Sequence, residues 1–159
     1  MFILDTNVVS ELRKAKAGKA DVNVVAWAEK QDPSALFLSA ITVLELEMGV
    51  RQVERRDTTQ GAVLRAWMDD RVLPAFEGRI LSVDGSVALC CAALHIPDPR
   101  SDRDALIAAT GITHAMPIVT RNVADFEPTG VQFINPWETR ECAASKGKLE
   151  THQRYSDQP

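Results

Sequence analysis

Between Lys30 and Lys146 the chain contains no lysine. That gap removes the late-sheet lysine that a phospho-receiver domain requires. Cysteine is scarce as well: Cys90 and Cys91 are adjacent, Cys142 stands apart, and no C-x-x-C spacing offers a zinc or cluster site. Reduced, packed filler is the role such thiols are expected to have. No stretch approaches the roughly 20 apolar residues of a membrane span. Met1 to Leu4 is too short for a secretory leader and runs straight into an acid. A cytoplasmic protein with no membrane partner is therefore expected. The formal charge of −4 argues against coating nucleic acid non-specifically. It does not exclude a site that is itself negative because its acids hold metal. His95 and His114 are isolated, so no serine, cysteine or histidine constellation competes for the chemistry.

What is present is one ordinary globular domain. The chain has 159 residues, 45% apolar and 25% charged, enough to bury a real core. Its first seven residues, Met1-Phe2-Ile3-Leu4-Asp5-Thr6-Asn7, set four apolar side chains before a carboxylate and a polar pair. Such a run suits a strand buried on both faces of a parallel sheet. Ala35 to Leu38, Arg79 to Val83, Pro117 to Thr120 and Gln132 to Ile134 read as further strands. Helices are expected over Val8–Arg13, Val22–Gln31, Ala40–Arg56, Asp57–Ala75, Val87–Leu94 and Ser101–Ala115. Strands alternating with helices predict parallel βαβ units, an α/β fold of three layers, α/β/α, about a mostly parallel sheet of four to five strands. Residues 1–138 carry this pattern. Residues 139–159 are polar, with Leu149 and Tyr155 the only large apolar side chains, and a mobile tail is expected there.

Several acids fall where strands end or helices begin. Asp5 closes the first strand, at the edge where open α/β sheets keep their ligand crevice. Glu45 lies early in the third helix, with no lysine or arginine within helical reach and Gly49 leaving room beside it. Glu47, by contrast, has Arg51 at i+4, an ordinary solvated pair. Asp104 stands in the first turn after Ser101, and Asn122 and Asp125 follow the fourth strand. Each has a plainer reading as a helix cap or a solvated acid: Asp5 or Asn7 as N-cap, Ser101 to Asp104 as a capping box, Asp125 as a turn cap. Three carboxylates brought within about 5–6 Å repel by roughly 3 kcal/mol per pair at an effective dielectric near 20. The cations in the neighbourhood are Arg100, Arg103 and Arg121, whose directions the sequence does not give. A hard divalent cation with oxygen ligands, Mg²⁺ or Mn²⁺, would balance such a cluster.

The order Ile3-Leu4-Asp5-Thr6-Asn7, Thr42-Val43-Leu44-Glu45-Leu46 with Gly49, Asp104-Ala105-Leu106-Ile107-Ala108-Ala109, and Val119-Thr120-Arg121-Asn122 with Asp125-Phe126 resembles the PIN-domain ribonucleases. Within them it is similar to the VapC and FitB toxins of toxin–antitoxin pairs, and Asn135-Pro136-Trp137 is similar to the FitB-like branch. The resemblance implies metal-dependent RNA cleavage by activated water, with Asp5, Glu45 and Asp104 as the metal-binding acids and Asn7 and Thr120 in support. It implies a homodimer, held inactive by a small antitoxin, and a larger hetero-oligomer with it. The family's fourth acid commonly follows the Thr-Arg pair. Here Asn122 stands at that position and Asp125 one turn later, so a full second metal site is not expected. Two rivals remain: a PIN-fold module that binds RNA or protein without efficient catalysis, and a phosphatase of the haloacid dehalogenase type. The phosphatase would want an acid where Asn7 stands and a lysine in the gap already noted.

Overall fold

The computed structural model describes residues 1–138, so the expected tail lies outside the described residues. Five short strands, β1 (Phe2–Leu4), β2 (Leu36–Ser39), β3 (Ile80–Leu81), β4 (Ile118–Val119) and β5 (Phe133–Ile134), form one sheet in the order β3-β2-β1-β4-β5. Every pairing is parallel. β1 pairs with both β2 (Ile3 opposite Phe37) and β4 (Ile3 opposite Ile118), so it is the central strand.

The alternation of side chains along β1 splits the core in two. Leu4 faces one side, with Val119, Leu36 and Leu38, and is covered by α1 (Thr6–Leu12), α2 (Val22–Glu29) and α3 (Ala40–Arg56). Ile3 and Ile118 face the other, against Ile107 and Ala108 of α7 (Asp102–Thr113) and Phe126 of α8 (Val123–Phe126). That is the three-layer arrangement the strand–helix alternation predicts. α6 (Gly85–Leu94) packs outside α7 through Val87 and Cys91, which meet Ala105 and Ala109.

Small residues allow the tightest approaches. A methyl on Gly111 would sit 2.8 Å from Ile118 Cδ1 and 2.9 Å from the Met116 carbonyl oxygen, so α7 lies directly on the sheet there. A methyl on Gly61 would come 2.5 Å from the Glu54 Cα, backbone against backbone. Gly61 is in α4 (Thr58–Trp67), which returns antiparallel along α3. Arg65 ties the pair, reaching Glu47 at 2.7 Å and Glu54 at 3.0 Å, and Arg51 adds the expected i+4 bond to Glu47 at 2.6 Å.

The helix expected over Asp57–Ala75 is broken. After α4 comes a π-helical turn, Met68–Val72, and then α5 (Leu73–Ala75). Pro74 has no N–H and its ring crowds the preceding turn, which favours a widened hydrogen-bond spacing just before it. Met68 and Val72 are thereby both buried in the core.

Candidate functional site

The chain leaves β1 toward β2 and β3 on one side, then crosses back to lay β4 and β5 on the other. The carboxyl ends of β1 and β4 therefore flank the point where strand order reverses, which is where open α/β sheets hold ligands. Asp5 follows β1 there, and Thr120 follows β4. Asp5 N–H donates to Val119 O at 3.0 Å, locking the two strand ends together.

Asp5 is 4% exposed. It is the N-cap of α1, and its Oδ1 accepts the Thr6 N–H at 2.7 Å. Its Oδ2 accepts from Thr120 Oγ1 at 2.7 Å and from Asn7 Nδ2 at 2.6 Å. The capping reading is thus correct, and it is not the whole of the residue's surroundings. Burial pushes the Asp5 carboxyl above the ordinary aspartate range, against the pull of the Thr120 and Thr6 donors. The charges of Glu45 and Asp104 push the same way, which brings all three acids into one electrostatic neighbourhood.

Glu45 is positioned by the start of α3. Ser39, the N-cap, accepts the Thr42 N–H at 2.9 Å, and Thr42 Oγ1 donates to the Leu4 carbonyl at 3.3 Å. Both side chains are fully buried, so the first turn of α3 is pinned to the end of β1. Glu45 is half-buried in the following turn, and Thr6 Oγ1 donates to its Oε2 at 2.5 Å. Nothing in the sequence pointed to Thr6 as the partner. Glu45 has no cation on its own helix face, as its spacing indicated, but Arg103 of α7 turns toward it, with Nη1 3.8 Å from its Oε1. Half-exposed pairs of this kind contribute little, so Arg103 offsets only part of the charge.

Asp104 is half-buried in the first turn of α7. Ser101 occupies the N-cap but makes no side-chain cap bond, so the capping box does not form. Asn122 heads α8, again without a side-chain cap bond, and its N–H donates to Thr120 Oγ1 at 2.9 Å. Asp125 is exposed, beside the fully buried Phe126. In the motif Asp125-Phe126 it is the phenyl ring that anchors the loop.

Thr120 is the hub. It is fully buried, donates to Asp5, and accepts from both Asn122 N–H and Asn7 Nδ2, the latter at 3.1 Å. Thr120→Val keeps the volume and removes all three bonds. We expect it to lower stability by about 1–3 kcal/mol, the cost of stranding buried polar groups. A urea midpoint that falls while the m-value holds would show this; an unchanged midpoint would mean that water replaces the hydroxyl.

The donor set suits a hard divalent cation. It is all oxygen, and a carboxylate offers about four lone-pair positions. Three of those on Asp5 are taken by Thr6, Thr120 and Asn7, which leaves roughly one free, on Oδ1. Among the described residues no three His, Cys, Asp or Glu side chains are already closed around a single point. Glu45 is turned toward Thr6 and Arg103, and a rotamer change of that half-buried side chain would free it for an ion. A groove of about 690 Å³ lined by Leu12, Arg13, Lys16, Trp67 and Arg71, at the far end of α1, includes none of these acids.

The chain is thus an α/β protein with a buried acid at the switch point of its sheet, within electrostatic reach of two more. The chain belongs to the PIN-domain family, whose model matches residues 2–127. It is 38% identical over 146 residues to VapC ribonuclease Y4jK of Sinorhizobium fredii, covering 87% of this chain and 99% of that protein. It is 34% identical over 142 residues to toxin FitB of Neisseria gonorrhoeae, covering 86% and 99%. Among solved structures, FitAB bound to the IR36 DNA fragment superposes with a TM-score of 0.79 at 33% identity, covering 89% and 99%. Among the described residues no helix is long and apolar enough to cross a membrane.

Proposed function

We propose that this chain is the toxin of a toxin–antitoxin pair, a ribonuclease that needs Mg²⁺ or Mn²⁺. The observation that carries the reading is Asp5, buried at the β1–β4 switch point and held above its ordinary pKa by burial and by the charges of Glu45 and Asp104. Relatives covered over nearly their whole length, a VapC ribonuclease and the toxin FitB, support the same assignment. A FitAB assembly bound to DNA supports a cognate antitoxin as protein partner.

Asp5, Glu45 and Asp104 would hold the ion. Bound there, a divalent cation shields phosphodiester charge and acidifies a water for attack. The chain's own residues do the positioning. Thr120 and Asn7 fix the Asp5 carboxylate from one side and Thr6 N–H from the other, so its remaining lone pair has one direction. Thr6 Oγ1 keeps Glu45 at the cluster until a ligand competes for it. The test is cleavage of single-stranded RNA by the purified chain with Mg²⁺ or Mn²⁺ and its loss in excess chelator. Binding of RNA without cleavage under any metal would favour a non-catalytic module instead.

Asn122 sets the metal count. A neutral amide supplies no charge to hold a second cation, and Asp125 is exposed. We expect one well-occupied ion in the wild type, tighter or additional binding in Asn122→Asp, and little change in Asp125→Asn, read by calorimetric titration. Loss of binding in Asp125→Asn would move the fourth ligand one turn along.

A further inference from the structure

Arg103 stands beside Glu45, and Arg121 directly follows Thr120, which bonds Asp5. The Arg121 N–H donates to Asn7 Oδ1 at 3.3 Å, so its backbone is tied to the residue that also bonds Asp5. Its guanidinium lies over the Trp137 ring, Cζ 5.4 Å from the centroid. Trp137 is itself fixed. It packs half-buried against the main core, its backbone N–H donates to Asn135 Oδ1 at 3.1 Å, and its backbone carbonyl accepts from Asn23 Nδ2 at 3.4 Å.

Three other arginines are consumed by structure, while Arg13 stacks on Trp67 at 5.6 Å, at the far end of α1 from the acids. Arg65 reaches Glu47, Glu54 and Asp69; Arg51 pairs with Glu47; Arg79 bonds the carbonyls of Pro33, Leu36 and Ala75. Arg121 is exposed and makes no ion pair among the described residues. Glu11, the acid whose charge it influences, already accepts from Lys14 at 2.8 Å and from the Asp21 N–H at 2.9 Å. The guanidinium is therefore oriented but not used. A planar cation stacked on an indole offers an N–H fork for phosphate and a flat face for a base.

We propose that Arg121 and Trp137 form a nucleotide subsite beside the acid cluster, Arg121 binding a backbone phosphate and the stacked pair receiving one unpaired base. This rests on the ribonuclease reading and names the groups that would hold one unpaired nucleotide beside the site. Arg121 and Trp137 are positioning residues, outside the reacting group.

The test is binding of a fluorescein-labelled single-stranded oligoribonucleotide to the full chain, followed by anisotropy in excess EDTA over a range of NaCl. Arg121→Ala should weaken single-strand binding about tenfold and reduce the slope of log K against log salt by about 0.7. Arg121→Lys should restore the slope but not all the affinity, since it lacks the planar face. Trp137→Leu should lose about tenfold with the slope unchanged, and Trp137→Phe should recover most of that loss. Arg55→Ala, a charge removed about 15 Å further along α3 than Glu45, should alter neither quantity. Melting points report folding, and should Trp137→Leu fail to fold, the exposed Arg121 variants still decide. Wild-type affinity and slope in Arg121→Ala, from a chain that cleaves RNA, would overturn the subsite and leave the ribonuclease reading standing. A wild type that neither cleaves nor binds RNA would overturn both.

Discussion

Asp5→Asn is expected to reduce metal-dependent RNA cleavage by more than about a hundredfold, the loss that removal of outer-shell partners alone can reach. The substitution keeps the size and the Oδ1 acceptor for the Thr6 N–H, so the α1 cap survives. It removes the negative charge and turns one oxygen into a donor facing Thr120, whose hydroxyl can rotate, and Asn7 Nδ2, which cannot turn away without giving up its bonds to Thr120 and the Arg121 N–H. Burial and the neighbouring acids disfavour the ionised carboxylate. In chelator the folded wild type therefore carries a penalty that asparagine lacks. Without metal this relief opposes the lost Asn7 bond, and the variant should melt within a few degrees of wild type. With saturating Mn²⁺ the wild type should gain several degrees, as a ligand at 100 times its Kd adds about 2.7 kcal/mol, and the variant should gain almost nothing. Wild-type cleavage by a contaminant-free Asp5→Asn preparation would sink the assignment. So would equal metal stabilisation of both proteins.

Phe126→Ala should produce the largest loss of stability, about 3–5 kcal/mol. The ring is fully buried among Ile3, Ile41, Ile107, Ile118 and Val131. Alanine leaves a cavity under α8 that the sheet and α7, already in close contact at Gly111, cannot collapse to fill. For a domain of this size the fall in Tm is on the order of 10 °C. Thr120 and Asn122 precede α8 in the chain, so the acid cluster should loosen with it. A drop of only one or two degrees would mean that the loop repacks and that the Asp125-Phe126 motif matters for some other reason.

Much of this was readable from residue order. Apolar runs ending in polar residues located β1, β2 and β4, because a parallel strand buried on both faces has no solvent side to dilute its hydrophobicity, and the partly exposed edge strands β3 and β5 were found as shorter apolar pairs. The π turn at Met68–Val72 was not legible, because hydrogen-bond spacing leaves no periodic mark over so few residues. Nor was the partner of Glu45. Thr6 and Arg103 lie 39 positions before it and 58 after it, and only the placement of α1 and α7 on opposite faces of the sheet brings them to the same carboxylate. The cap readings of Asp5 and Asp104 show how far pattern goes. Asp5 caps α1 and also joins the cluster, whereas the Ser101 box, equally plausible as a pattern, does not form.

The most direct measurement is calorimetric titration of Mn²⁺ into wild type, Asp5→Asn, Glu45→Gln and Asp104→Asn at one pH, with RNA cleavage assayed on the same samples. If the three acids share one ion, each substitution weakens the binding and lowers cleavage in the same order, while Asp125→Asn does neither. Undiminished Mn²⁺ affinity in all three acid variants, with cleavage intact, would contradict the account.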